Sequence, residues 1–355
     1  MNNKITIREV AKAAGVSISS VHIALSGKPG VSEKTREHIE SVAKKLGYQP
    51  NVLASGLKRR TQQIMVLLPD PIGDNSYYYP PIWQGIDDYL SSNMLNVACT
   101  KIAFSEETGD VLVPRVRKMI AEKGVDGILT AGHMDIISPN DWKMIQKNNI
   151  AVAFVNSDRP EYPRLCCVEP DFGVIGRTMA ELIFSHIEPY GSVFLCAGNP
   201  KWNAHAKIVQ GFDSYMQENH ISNLVYKDYS WTMDSTNYSH ILREIMRPDV
   251  AACGSVYAQG TVLLGRALEE SGKMQLYAVG SDLSDETSDR LRRSVLNNVI
   301  QKNPYAQGYL AMKVLTDYLA GGIEPEQSVI YVGSEVVFKS NLSMYENAGY
   351  RVMIT

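Results

Sequence analysis

A short segment near the N-terminus constrains this chain more than any other part of it. Thr6 and Glu9 have capping-box spacing, which predicts the start of a helix because each side chain can bond a free amide of the first turn. The apolar stripe of this helix consists of Ile7, Val10, Ala11 and Ala14. Gly15 then permits a tight turn, and Ser17 can cap a second helix. Two short helices joined at a glycine are a helix-turn-helix.

The spacing of three residues is more specific than their types. Ala11 lets the two helices cross closely, Gly15 makes the corner, and Val21 packs beneath them. The second helix continues through Ala24 and Leu25. Few unrelated sequences place all three residues correctly, so the spacing predicts a helix-turn-helix.

A third helix completes a small all-α head, which we assign to residues 1–48. It is predicted to start at Ser32 and to run to Leu46, where Gly47 ends it. The side chains expected to close the core are Val42, Ala43 and Leu46. A three-helix module that binds protein is the alternative to a nucleic-acid-binding head.

Charge divides the chain into two unlike parts. The first 60 residues carry eleven Lys and Arg against four Glu, a formal charge of +7, whereas the remainder carries 24 basic and 34 acidic residues, a charge of -10. A basic head on an acidic body indicates a polyanion partner for the head, because Lys and Arg gain affinity by releasing phosphate counterions. A solvated basic surface is the alternative reading of charge alone.

Residues 5–57, from ITIREVAKAAGVSISSVHIALSGKPG to YQPNVLASGL, resemble the head and hinge of the LacI/GalR family of repressors nearly end to end. The resemblance implies that the second helix enters the major groove of operator DNA, with Ile18, Ser19 and His22 facing base edges. It also implies contacts to the DNA backbone, which position the head. The residues assigned to these are Thr6, Ser17, Ser20, Ser32, Thr35 and Tyr48.

The family often has Ser-Arg where this chain has His22-Ile23. The head therefore lacks a strong donor to guanine or phosphate, and its operator is expected to differ from the familiar consensus. His22 as an ordinary surface histidine is the alternative to a base or phosphate contact.

Residues 49–61 are expected to form a hinge. Asn51 can cap a short helix with Ala54 and Leu57 on one face, and a helix this short needs a partner to be stable. In the family, paired hinges fold against the minor groove and a leucine wedges between base steps, a role that falls here to Leu57. Lys58 would follow the DNA backbone. A flexible linker is the alternative, partly because Gly56 disfavours a helix.

From Ile64 onwards, apolar runs alternate with helical stretches, which predicts an α/β body with parallel sheets covered on both faces. Eight runs are predicted strands: IMVLLPD, LNVACTKI, VDGILTAG, AVAFVN, SVFLCAG, LVYKDY, VAACGSVY and LYAVGSD. Their number fits two lobes, and ligands of such sheets bind beyond the strand carboxyl ends, in the cleft between the lobes.

The body, residues 62–355, resembles the family's effector domain, which is itself similar to periplasmic sugar-binding proteins. The resemblance places the lobe crossings near Glu169, Val299 and Gly322. It gives a first lobe of about 62–168 and 300–322 and a second of about 169–299 and 323–355. The tail from Tyr345 to Thr355 is expected to be a strand or an unstructured end.

The same resemblance supplies candidate effector residues. They are Tyr78, Tyr79, Trp231, Asp282, Gln301 and Asn303. Rings stack on the apolar faces of a sugar, and carboxylates and amides fix its hydroxyls. For any one aromatic residue, core packing is an equally good explanation.

Two departures from the family concern the same cleft. Ala206 stands where the family usually has an arginine, five residues before the glycine of Gly211-Phe212. Trp202, His205 or Lys207 can compensate for that loss, and Gln259-Gly260 replaces the family's Asn-Asp. The effector is therefore expected to be unusual.

Other classes of protein are disfavoured. The sequence has no GxGxxG after the first body strand, no GxxxxGK[ST], no GxSxG and no HExxH, so an enzyme is not expected. Seven scattered histidines do not support a metal site, and no cofactor is expected. A secreted sugar-binding protein would not explain the head, and a purely architectural DNA-binding protein would not explain the body.

These observations predict a cytoplasmic protein without membrane contact. A homodimer is expected because a palindromic operator requires two heads related by a twofold axis. No segment approaches the ~20 apolar residues of a membrane span. The five cysteines are expected to be reduced and mostly buried. The predicted function is repression of carbohydrate-utilisation genes, controlled by a sugar-like effector.

Overall fold

A computed structural model of the chain describes residues 5–25, 30–46, 48, 60–93, 96–105, 109–133 and 137–351. The chain divides into two compact units, Met1–Arg59 and Arg60–Thr355. The first contains the basic head and the second contains the acidic body.

Three helices form the head: α1 (Ile7–Ala14), α2 (Ile18–Leu25) and α3 (Glu33–Leu46). Gly15 ends α1 with a φ of 66°, a left-handed conformation that costs little in a residue without Cβ. At the other end of α2, the Arg36 guanidinium donates to the carbonyl of Ala24 at 2.6 Å. The predicted helix-turn-helix is present.

The head is held by a small apolar core. Its buried members are Val10, Ala11, Ala14, Val21, Ala24, Ile39 and Ala43. The prediction for α3 was wrong at its end, because Leu46 is 36% exposed. The buried face of α3 is instead the one that carries Ile39 and Ala43, four residues apart, with Val42 partly buried beside them.

The first lobe of the body is built on a six-stranded parallel sheet with the strand order β11-β5-β4-β3-β1-β2. Its strands are β1 (Gln62–Pro69), β2 (Val97–Phe104), β3 (Gly127–Ala131), β4 (Ala151–Val155), β5 (Cys166–Pro170) and β11 (Val329–Val332). Its helices are α4 (Tyr79–Ser92), α5 (Gly109–Ala121), α6 (Pro139–Lys147) and α12 (Pro304–Gly321), and a 3-10 turn spans Gly73–Tyr77.

The second lobe has its own six-stranded sheet, in the order β12-β10-β9-β8-β6-β7. Its strands are β6 (Ser192–Cys196), β7 (Val225–Asp228), β8 (Val250–Ser255), β9 (Tyr277–Ser281), β10 (Asn298–Gln301) and β12 (Glu335–Phe338). Its helices are α7 (Phe172–Phe184), α8 (Asn203–Glu218), α9 (Ser235–Ile245), α10 (Ala258–Ser271), α11 (Asp285–Arg292) and α13 (Leu342–Asn347).

Strand β1 shows why the first sheet lies between helices. Ile64, Val66 and Leu68 pack with α4 and α12. The alternating residues Met65 and Leu67 pack with α5 and α6 on the other face. All five side chains are buried, as expected for a parallel strand covered on both sides. The second sheet departs from the predicted pattern at one edge, where β12 runs antiparallel to β10.

The chain passes between the lobes three times. The first two passages, at Asp171 and at 302–303, lie close to the expected crossings near Glu169 and Val299. The third lies between Val332 and Glu335 rather than near Gly322, because β11 pairs with β5 and so belongs to the first lobe. Residues 323–332 were therefore assigned to the wrong lobe.

The C-terminal segment also differs from expectation. Residues 345–347 belong to α13 rather than to a strand, and Tyr345 is only 3% exposed. Residues 352–355 lie outside the described part of the chain. All five cysteines are free, and all but Cys99 are buried, which confirms the prediction for the thiols.

Candidate nucleic-acid interface and effector site

Helix α2 presents two chemically different faces. Val21 and Ala24 are buried against the head core, whereas Ile18, Ser19 and His22 are exposed. Ile18 is 47% exposed, so its side chain is available for contact with a partner. An exposed face with one apolar and two polar groups suits base edges, where Ile can contact a thymine methyl and Ser or His can hydrogen-bond.

The N-termini of α2 and α3 carry paired hydroxyl groups. Ser17 Oγ accepts from the Ser20 amide at 3.0 Å and lies 2.9 Å from Ser20 Oγ. Ser32 Oγ accepts from the Thr35 amide at 3.3 Å and lies 2.7 Å from Thr35 Oγ1. Amides and hydroxyls at a helix N-terminus are a good arrangement for phosphate.

Two further predicted DNA contacts have structural roles within the head. The Thr6 amide donates to Glu9 Oε2 at 2.6 Å and the Thr6 hydroxyl donates to it at 2.9 Å, and these two bonds lower the pKa of Glu9. Tyr48 packs partly buried against the core, and its amide donates to the Ala43 carbonyl at 2.9 Å. The hinge residues Asn51, Ala54, Leu57 and Lys58 lie outside the described residues, so their assignments stay predictions.

In the first lobe, two tyrosines line the cleft. Tyr78 Oη donates to Asn156 Oδ1 at 2.8 Å and accepts from Gln307 Nε2 at 3.1 Å. Tyr79 Oη lies 3.1 Å from His133 Nε2. Burial raises the pKa of both phenols, and the Asp282 carboxylate adds to the effect on Tyr78. Both hydroxyls therefore keep their protons.

In the second lobe, a group of rings faces these tyrosines. The Trp202 ring lies 4.9 Å from Trp231 and 5.1 Å from His205, and His205 lies 5.2 Å from Tyr257. His133 of the first lobe lies 5.4 Å from Trp202. A continuous aromatic wall therefore connects the two lobes across the cleft.

His205 is fixed in one neutral form. The Asn199 amide donates to Nδ1 at 3.0 Å, so the ring proton sits on Nε2. Gly198, with a φ of 68°, makes this approach possible, since a Cβ there would lie 2.5 Å from Nδ1. Burial, together with the electrostatic effects of Lys302 and His133, lowers the pKa of His205 to about 3.

A buried ion pair forms the floor of the site. Lys302 Nζ lies 2.9 Å from Asp282 Oδ2 and donates to the Val256 carbonyl at 3.2 Å. The same ammonium lies 5.3 Å from the centre of the Tyr78 ring. Burial raises the pKa of Asp282, and Lys302 opposes that rise. Lys302 lies in the second passage between the lobes, so the ion pair lies where the chain crosses from β10 to α12.

Backbone strain marks the same region. Asn156, Asp282 and Asn303 have φ values of 62°, 62° and 53° and follow the carboxyl ends of β4, β9 and β10. Asn and Asp adopt this conformation more readily than other non-glycine residues, and three of the eight non-glycine residues with positive φ in the described part of the chain lie here. Asn303 also caps α12, where its Oδ1 accepts from the Ala306 amide at 3.2 Å.

The structure brings the predicted effector residues together. They are Tyr78, Tyr79, Trp202, His205, Trp231, Asp282, Gln301 and Asn303, which lie at helix N-termini, strand ends and the second crossing around one cleft. Gln301 supports the site indirectly, because its Oε1 accepts from the Leu283 amide at 2.9 Å. Ala206 is exposed, and Lys207 pairs with Glu169 at 2.9 Å. Lys207 therefore does not replace the missing arginine in the cleft.

Sequence reasoning missed four residues of this site. Lys302 stands between Gln301 and Asn303, and nothing in the sequence distinguishes it from a surface lysine. His133, Asn156 and Tyr257 each follow the carboxyl end of a parallel strand within two residues. The rule that ligands bind at such ends could have identified all three. Among the residues that the structure describes, no cluster could hold a metal ion, and no helix is long and apolar enough to cross a membrane.

Comparison with known proteins agrees with this architecture. Residues 6–51 match the model of the bacterial regulatory proteins of the lacI family. Residues 64–323 match the periplasmic binding protein domain. This chain belongs to the lacI family.

Several regulators of the lacI family are similar to this chain. Catabolite control protein A of Streptococcus mutans is 34% identical over 133 residues, which cover 37% of this chain and 38% of the relative. RegA, an HTH-type transcriptional regulator of Clostridium saccharobutylicum, is 34% identical over 126 residues, 35% of this chain and 36% of the relative. The chain thus spans little more than a third of these two relatives. Catabolite control protein A of Priestia megaterium is 24% identical over 89% of this chain and 92% of the relative.

Solved structures share the fold of the lacI-family body. A putative LacI transcriptional regulator from Bacteroides fragilis has a TM-score of 0.69 at 18% identity, covering 81% of this chain and 100% of that one. A solute-binding protein of an ABC transporter from Burkholderia graminis, in complex with D-arabinose, has a TM-score of 0.70 at 18% identity, covering 81% and 98%. At such identities the likeness establishes the two-lobed fold alone.

Proposed function

We propose that this lacI-family protein is a sequence-specific DNA-binding repressor of carbohydrate-utilisation genes, controlled by a small sugar-like effector. The observation that carries the proposal is the presence, in one chain, of an exposed recognition face on α2 and an aromatic, polar cleft between two lobes. The protein acts as a cytoplasmic homodimer, without enzymatic activity, cofactor or membrane contact. The D-arabinose-bound neighbour supports a sugar as effector.

The head recognises the operator in two ways. Ile18, Ser19 and His22 contact base edges and give sequence preference, while the hydroxyls at the N-termini of α2 and α3 hold phosphates and fix the register. The head's positive charge supplies the salt-dependent part of the affinity. Hinge residues Leu57 and Ala54 of two chains occupy the minor groove.

The cleft controls this binding. A sugar packs its apolar face on Trp202 and Trp231 and directs its hydroxyls to the polar floor near Asp282. Effector binding favours one arrangement of the lobes, and the hinges order on DNA in only one of them. The effector can shift this equilibrium only by its difference in affinity for the two states.

The test starts from selection of DNA sites by the full-length protein, followed by titration of the selected operator with and without sugars. Replacing Ile18 or Ser19 by Ala should change the selected sequence, whereas Lys118→Ala on the body surface should not. A sugar that stabilises the protein against heating should also change operator affinity. An unchanged site preference in both head variants would refute the assignment of α2, and operator binding insensitive to every sugar would favour a constitutive architectural role.

A further inference from the structure

Lys302 is an unusual side chain for the interior of a binding cleft. It is only 4% exposed, and its ammonium faces the Asp282 carboxylate, the Val256 carbonyl and the Tyr78 ring. Burial of an isolated ammonium is costly, so such a group needs a partner of opposite charge. Asp282, only 2% exposed, is that partner.

The same pairing changes what Asp282 can offer a ligand. Its Oδ2 lies against the Lys302 ammonium, and its Oδ1 accepts from the Lys302 amide at 3.3 Å. Oδ1 therefore has a hydrogen-bond donor, whereas Oδ2, although it lies within ion-pair distance of the ammonium, has no hydrogen bond of its own among the described residues. The floor of the cleft carries one negative and one positive charge, which compensate each other.

His205, next to this pair, adds no charge to the balance. His205 is neutral, since its Nδ1 is an acceptor and its surroundings are buried. Among the described residues, several buried polar atoms near the floor have no hydrogen-bond partner: Ser281 Oγ, Asn303 Nδ2 and Gln307 Oε1. Gln307 is held against the floor by the bond from its Nε2 to the Lys302 carbonyl at 2.8 Å. These atoms are uncharged donors and acceptors, the kind that hydroxyl groups satisfy.

We propose that Lys302 is the specificity-determining residue of this cleft, because it is the internal counter-ion of Asp282 and thereby reserves the site for uncharged polyhydroxylated ligands. The pair stays intact when the effector binds. An amino sugar would bring a second cation beside Lys302, and an acidic or phosphorylated sugar would bring a second anion beside Asp282. Either charge would enter a buried site that has no free counter-charge. This inference rests on the proposed role of the cleft as the effector site.

The first experiment tests the pair without any ligand. Thermal unfolding of the full-length protein at pH 7 is compared for Lys302→Met, Asp282→Asn and the double variant. Each single variant removes one of the two charges and leaves the other buried without a counter-charge. It should therefore lower the unfolding midpoint by about 5–10 °C. The double variant should recover most of that loss. Additive losses would overturn the pairing. Lys302→Arg keeps the positive charge and tests whether the site accepts a cationic side chain of a different shape.

The second experiment tests selectivity with matched probes: D-glucose, D-galactose and D-ribose, each against an amino and an acidic or phosphorylated counterpart. For the wild-type protein, neutral members that bind should do so at least about tenfold more tightly than their charged counterparts. Lys302→Met should shift the preference toward amino sugars, while Lys302→Arg should keep the wild-type preference.

The outcomes separate the two proposals. Wild-type preference for a charged member of any set, or a Lys302→Met variant with unchanged discrimination, would overturn the role of Lys302 while leaving a sugar effector in place. A panel in which no probe binds would refute the proposed sugar effector, and the selectivity would fall with it.

Discussion

At the scale of single residues, His205 shows how the cleft fixes the protonation of a side chain. Histidine ordinarily titrates near neutrality, but here a backbone amide donates to Nδ1. A proton on Nδ1 would break that bond and place a charge in a buried site next to Lys302. These two costs explain the depressed pKa of about 3 and keep the imidazole neutral across the physiological range.

This depression predicts a pH-dependent stability. Between pH 6.5 and pH 3 the unfolded chain binds a proton at this position and the folded chain does not, so stability falls as the pH is lowered through that window. From pH 7 to pH 5, His205 should cost about 2 kcal/mol of unfolding free energy. His205→Gln keeps an acceptor for the Asn199 amide and should remove that part of the slope in denaturant titrations.

The control for this prediction is His38→Gln, on the exposed surface of α3 in the head, which should keep the wild-type slope for unfolding of the body. Equal slopes in the wild-type protein and His205→Gln would contradict the assignment of a neutral, buried imidazole.

At the scale of helices and strands, apolar patterning predicted most of the fold. All eight predicted strands are present, six of them as largely buried runs and two, β2 and β7, as partly buried strands at sheet edges. The four that were missed are β5, β10, β11 and β12. The last three have four residues each, a length at which an apolar pattern is hard to recognise.

The candidate effector site could be predicted from the sequence only in part. Aromatic and acidic residues could be placed by family resemblance, but the role of Lys302 could not. A lysine in a sequence is ordinarily a surface residue, and only the fold reveals that it is buried against Asp282. The third lobe crossing was misplaced for a similar reason, since nothing local in residues 323–332 indicates which sheet they join.

Helix α2 provides a prediction at this scale. Ser17 accepts from the Ser20 amide at its N-terminus, and loss of such a cap costs about 1 kcal/mol. Ser17→Ala should therefore raise the amide hydrogen exchange rate of α2 about fivefold in the full-length protein. Ser19→Ala, on the exposed face of the same helix, should leave exchange unchanged, so equal acceleration in both variants would rule out the cap.

At the scale of the whole molecule, the hinge is expected to couple head and body. Leu57→Ala should weaken specific operator binding far more than non-specific binding, because the leucine wedge stabilises only the bent, specific complex. Lys58→Ala should instead weaken both and reduce the salt dependence. Filter binding or anisotropy on operator and random duplexes distinguishes the two, and equal losses on both duplexes for Leu57→Ala would contradict the wedge.

The two lobes are also linked at the rim of the cleft. Tyr77, just before α4, donates its hydroxyl to Glu286 Oε1 of α11 at 3.0 Å, and Arg266 holds the same carboxylate at 3.1 Å. This bond connects the lobes directly, so it stabilises the arrangement in which the aromatic wall is continuous. If the effector binds that arrangement, the bond contributes to effector affinity.

Tyr77→Phe removes only the hydroxyl, and a lost hydrogen bond to a carboxylate costs about 1–2 kcal/mol. Effector affinity, measured by calorimetry, should therefore fall about fivefold or more. Because coupling is reciprocal, the factor by which operator changes effector affinity should change by the same amount as the factor by which effector changes operator affinity. Tyr238→Phe is the matched control, because its hydroxyl bonds Glu270 within the second lobe alone. Equal changes in the two variants would show that the rim contact does not couple the lobes.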